Sequence, residues 1–90
     1  MNALSAILEH KVISIVRGTK PGDMVKIAGA LRNGGVKLIE ITLNSPNALQ
    51  SIELVSEAFG DEMVIGAGTV LDKETARGAI LAGAKFILSP

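Results

Sequence analysis

The chain has 90 residues, 48% of them apolar and 20% charged, with ten glycines and no cysteine. Nine basic and nine acidic residues cancel, so no net field draws the chain to nucleic acid or to an anionic membrane. The absence of cysteine excludes a disulfide framework, a thiolate zinc cluster and a thiol nucleophile, and fits a reducing cytoplasm. Phe59 and Phe86 are the only aromatics, too few for a base-stacking surface. Residues 2–9 read as a short helix with Leu4, Ile7 and Leu8 on one face; the start has neither the basic region nor the long apolar stretch of a secretory signal. Mean hydropathy is high at +0.42, yet no run approaches the ~18 apolar residues of a spanning helix.

Four short β-rich runs follow: Val12–Arg17, Leu38–Leu43, Met63–Val70 and Lys85–Leu88. Their near-continuous hydrophobicity points to burial on both faces, as in a parallel sheet. Three helical patterns separate them. The first opens at Pro21, carries Met24, Ile27, Ala28 and Leu31 on one stripe, and closes at Asn33-Gly34-Gly35. The second starts after Asn44-Ser45-Pro46, with Ala48, Ile52, Val55 and Phe59 on its buried stripe and Gly60 beyond. The third has Asp72 as N-cap, Glu74 in its first turn, and a stripe of Ala76, Ala79, Ile80 and Gly83.

The order is βαβαβαβ, which demands parallel strands joined by right-handed crossovers. Gly35-Val36-Lys37-Leu38-Ile39 is echoed by Gly83-Ala84-Lys85-Phe86-Ile87 two βα units later, the kind of repeat found in (β/α)₈ barrels. A whole barrel takes roughly 250 residues. The expected fold class is therefore α/β, with residues 1–90 forming the N-terminal half of a single (β/α)₈ TIM-barrel domain.

Alternation along the second strand puts Leu38, Glu40 and Thr42 on one face and Ile39, Ile41 and Leu43 on the other. The second set suits the helix-facing side, so Glu40 and Thr42 should point into the barrel. A carboxylate in such a place can move protons near neutral pH; the alternative is a buried ion pair with Arg17. Arg17 follows the first strand near the C-terminal rim, where its planar fork suits a substrate carboxylate or phosphate. Gly66-Ala67-Gly68-Thr69 reads either as an anion-cradling loop or as tight strand packing, with Thr69 placed to offer a hydroxyl. Asn44-Ser45-Pro46-Asn47 reads as helix capping and chain reversal. His10, Lys37 and Lys85 precede strands and belong at the opposite end, while Glu53, Glu57, Lys73 and Arg77 form solvated helix faces.

Three segments carry a resemblance across the chain: Gly34 to Pro46 (GGVKLIEITLNSP), Ile65 to Leu71 (IGAGTVL) and Ala82 to Pro90 (AGAKFILSP). In this order they resemble the family of aldolases acting on 2-keto-3-deoxy-6-phosphogluconate (KDPG) and 4-hydroxy-2-oxoglutarate (KHG). The resemblance implies a class I aldolase that releases pyruvate through a lysine Schiff base, with no metal or organic cofactor. The implied partners are a phosphorylated keto sugar acid and pyruvate, with no nucleic acid or membrane, in a cytoplasmic homotrimer. It also implies that Glu40 is the general acid/base, that Thr69 contacts the pyruvate moiety, that Pro90 lines the site and that Arg17 lies near the substrate. Asn44 stands where many members have the arginine that holds the pyruvate carboxylate, as in the branch acting on the galactonate epimer. The Schiff-base lysine of the family lies on the sixth strand, outside this chain. Two other readings are a non-catalytic half-barrel that pairs with a second copy, and a flavodoxin-like phosphate-binding module built on residues 66–69.

Overall fold

A computed structural model describes Ala3 and residues 13–89. The expected helix over 2–9, His10 and Pro90 lie outside the described residues. Four strands run in parallel and in chain order: β1 (Ser14–Val16), β2 (Leu38–Thr42), β3 (Val64–Gly68) and β4 (Phe86–Ile87). Three helices connect them: α1 (Pro21–Asn33), α2 (Ala48–Phe59) and α3 (Lys73–Ala82). This is the succession of βα units expected for the first half of a (β/α)₈ barrel. Among the described residues no helix is long and apolar enough to cross a membrane.

One register line crosses the sheet through Ile15, Glu40, Gly66 and Phe86, and the next through Val16, Ile41, Ala67 and Ile87. The two lines face opposite ways. Ile39, Ile41, Ile65 and Ala67 join Met24, Ala28, Ile52 and Val55 in the core between sheet and helices. Leu38 and Val64 cluster on the other face with Ile13 and Phe86. The expected division of the second strand into a helix-facing and an inward set therefore holds.

Helix rotation differs in detail from the stripes in the sequence. In α1 the buried pair is Met24 and Ala28, Val25 packs against the core, and Ile27 is 36% exposed. In α3 Ala79 is buried while Ile80 is 57% exposed. Small residues on these helices serve contact with α2. A Cβ on Gly29 would touch the Phe59 ring, one on Gly78 would touch Leu49, and one on Gly83 would meet the Ser56 hydroxyl.

Helix ends follow local chemistry. Val36 N–H bonds Leu31 C=O and Gly35 N–H bonds Arg32 C=O, both at 3.0 Å. Gly35, at φ +90°, supplies the left-handed turn that this closure requires. Asp72 caps α3 by accepting from Thr75 N–H at 2.7 Å. That backbone bond is the main reason its carboxyl is held below the ordinary aspartate value, since it stabilises the ionised form.

Candidate active site

The C-terminal ends of the strands gather the groups that could do chemistry. Glu40 leaves β2 on the inner face and is only 7% exposed. Its direct neighbour across the ladder is Gly66, but the space above Gly66 belongs to the Phe86 ring, which a Cβ there would overlap. The Glu40 carboxylate extends instead over Gly68, one pleat nearer the rim, and a Cβ on Gly68 would overlap it. The two glycines therefore serve close packing between neighbouring strands. Each is a socket for a side chain from a neighbouring strand. Among the described residues the single ion pair joins Arg32 to Glu62 at 3.1 Å on the surface, so the Glu40–Arg17 pair considered above is not formed. Arg17 is exposed.

Immediately after Gly68 the chain turns at Thr69, whose φ is +57°. A left-handed backbone is rare for a β-branched residue and stores local strain. It aims Thr69 toward the loop after β2, and the two segments enclose a cleft of about 210 Å³ lined by Leu43, Asn44, Thr69, Leu71, Asp72 and Thr75. Asn44 and Thr69 thus line one cleft, while the Glu40 carboxylate lies over Gly68 on the inner face of the sheet. A larger cleft of about 420 Å³ lies alongside, lined in part by Leu43, Ser45 and Thr75. Among the described residues no three His, Cys, Asp or Glu side chains converge as a metal site.

The loop after β2 also differs from the capping expectation. Asn47 precedes α2 in a left-handed conformation and makes no side-chain cap. Ser45 has a different task. It is 6% exposed, its N–H closes a turn on Thr42 C=O at 3.0 Å, and its hydroxyl lies 3.0 Å from that of the fully buried Thr42. Ser45 Oγ also accepts from Gly18 N–H at 2.9 Å, while Thr42 Oγ1 donates to Val16 C=O at a long 3.5 Å. The sequence signal for this was available only in part: Thr42 alternates inward with Glu40, but nothing local links Ser45 to a glycine on another loop.

Four parallel strands alternating with helices in chain order, with a buried carboxylate near the strand ends, fit the class of βα-barrel proteins. Within that class the chain belongs to the KDPG and KHG aldolase family, whose model matches residues 4–90. It is 39% identical over 79 residues to the 2-dehydro-3-deoxy-6-phosphogalactonate aldolase of Escherichia coli strain K12, covering 88% of this chain and 38% of that protein. The crystal structure of the KDPG aldolase of Zymomonas mobilis matches with a TM-score of 0.87 at 34% identity, over all of this chain and 43% of that one. The Legionella pneumophila KDPG aldolase, with pyruvate captured as a covalent carbinolamine, matches with a TM-score of 0.80 at 37% identity, covering 87% of this chain and 37% of that one. The chain thus spans less than half the length of the relatives it matches.

Proposed function

We propose that the full-length protein is a class I aldolase. It cleaves KDPG, KHG or the galactonate epimer of KDPG to pyruvate and an aldehyde through a lysine Schiff base, with the lysine outside residues 1–90. These residues then form the first half of the barrel domain. The observation that carries this reading is the Glu40 carboxylate, 7% exposed and lodged over Gly68 at the strand ends. A carboxylate without a basic partner among the described residues is free to exchange protons with substrate. In this reading Glu40 protonates the departing hydroxyl as the imine between the lysine and the keto carbon of the sugar acid forms. It then takes the proton of the sugar-acid hydroxyl as the carbon–carbon bond breaks, and the electron pair passes into the imine. Thr69 donates to the pyruvate moiety, Pro90 lines the same site, and Arg17 and Asn44 hold the substrate's carboxylate. No metal or organic cofactor takes part, and the protein acts as a cytoplasmic homotrimer.

Asn44, which lines one cleft with Thr69, stands in a Leu-Asn-Ser-Pro run like that of the galactonate branch, and this makes that branch the alternative within the family. A second reading, a non-catalytic half-barrel paired with another copy, draws on the exposure of Ile15 (60%) and Leu88 (41%) beside the inner face.

Treating the full-length protein with pyruvate and borohydride tests the proposal. A reduced pyruvyl adduct on a lysine outside residues 1–90 is expected. Absence of an adduct would overturn the aldolase reading, and an adduct on Lys37 or Lys85 would overturn the placement of the nucleophile. Comparing turnover of the two epimers assigns the branch.

A further inference from the structure

Among the described residues no hydrogen bond holds the Arg17 guanidinium, yet the peptide groups on both sides of its Cα are tied down. Gly18 N–H donates to Ser45 Oγ at 2.9 Å, and Val16 C=O receives the long contact from Thr42 Oγ1. The two hydroxyls are themselves 3.0 Å apart. One direction of donation satisfies every group: Gly18 N–H to Ser45, Ser45 O–H to Thr42, Thr42 O–H to Val16 C=O. Gly18 has φ +76°, so the chain turns sharply just after Arg17, and the Ser45 bond holds that turn. Ser45 is buried and Arg17 is exposed, so a buried anchor lies under an exposed charged side chain.

We infer that Ser45 is a positioning residue for Arg17. Its hydroxyl locks the β1–α1 loop to the β2–α2 loop, so that Arg17 and Asn44 present a fixed spacing to an anionic substrate. The inference rests on the substrate-binding role proposed for Arg17. Preorganising such a group spares its ordering cost on binding, so loss of the lock should weaken substrate binding more than it slows the chemical step.

The test uses the full-length protein, with Ser45→Ala and Arg17→Ala as single and double variants. Ser45→Ala should raise KM about tenfold, the upper scale of one net hydrogen bond, and leave kcat within about threefold. In the Arg17→Ala background the same change should leave KM unaltered, because residues acting through one another are non-additive. Amide hydrogen exchange at Gly18 should quicken at least about tenfold in Ser45→Ala, as a freed N–H requires. Equal effects of Ser45→Ala with and without Arg17, or unchanged exchange at Gly18, would overturn the inference while leaving the aldolase reading intact. If Arg17→Ala alone left KM unchanged in an active enzyme, the substrate role of Arg17 would fail and the inference with it.

Discussion

The carboxylate of Glu40 occupies the space above Gly68 that a side chain would otherwise fill. The position of the acid therefore depends on a residue two places beyond its ladder partner. Phe86, over Gly66, closes the alternative position. In the full-length protein Gly68→Ala should displace the carboxylate and lower kcat at least about tenfold, since ångström-scale misplacement of a reacting group costs up to ~10². It should also lower thermal stability. Adding Glu40→Ala should restore that stability but not the activity. An additive double variant in denaturation experiments would show that the two residues do not share this space.

Thr69 supplies a second prediction. Its left-handed backbone costs a non-glycine residue about 1–2 kcal/mol, which glycine would not incur. Thr69→Gly should therefore hold or raise unfolding free energy by up to ~1 kcal/mol in chemical denaturation, after the extra chain entropy of glycine is subtracted. Turnover should fall together with the lost hydroxyl. A large loss of stability would mean that packing of the threonine outweighs its backbone strain.

Asp72 is fully exposed, and its carboxyl is held below the ordinary value of 3.8, chiefly by the Thr75 N–H. A carboxyl lowered in the folded state contributes stability above its unfolded value, which is lost as pH falls through the folded one. Asp72→Ala should accordingly destabilise α3 at neutral pH, and the gap from the parent should narrow below pH 3.8. Denaturant midpoints across pH 2 to 7, as an order-of-magnitude window, provide the check. A gap that stays constant would assign the effect to helix propensity.

Ser51 is fully buried on α2, and its hydroxyl has no hydrogen-bond partner among the described residues. Removing an unsatisfied buried donor relieves a desolvation cost of about 1–3 kcal/mol, and alanine is the better helix former. Ser51→Ala should raise unfolding free energy by about 1 kcal/mol. A loss of that size would point to a bonded hydroxyl in solution.

The order of strands and helices, their parallel sense and the two faces of β2 were legible in the sequence, because alternation and helical spacing are local properties. The same holds for Asp72 at the start of α3 and Gly35 at the end of α1, where a single residue type satisfies the backbone. The exposure of Ile27 and Ile80 was not legible. Spacing marks a stripe on a helix, but the sheet and neighbouring helices decide which edge of it is turned inward.

The candidate site divides along the same line. Sequence alone placed Glu40 on the inner face, Arg17 at the end of the first strand and Thr69 at the end of the third. Only the tertiary structure turned the glycines of β3 into sockets for Glu40 and Phe86, decided against the alternative Arg17–Glu40 pair among the described residues, and set Asn44 and Thr69 in one cleft. It also made Ser45 a tie between two loops, through a bond spanning 27 residues of chain. The physical reason is that a residue's secondary structure answers to its near neighbours, whereas the room left by a missing Cβ and the partner of a buried hydroxyl are set by strands and loops that meet only when the sheet assembles.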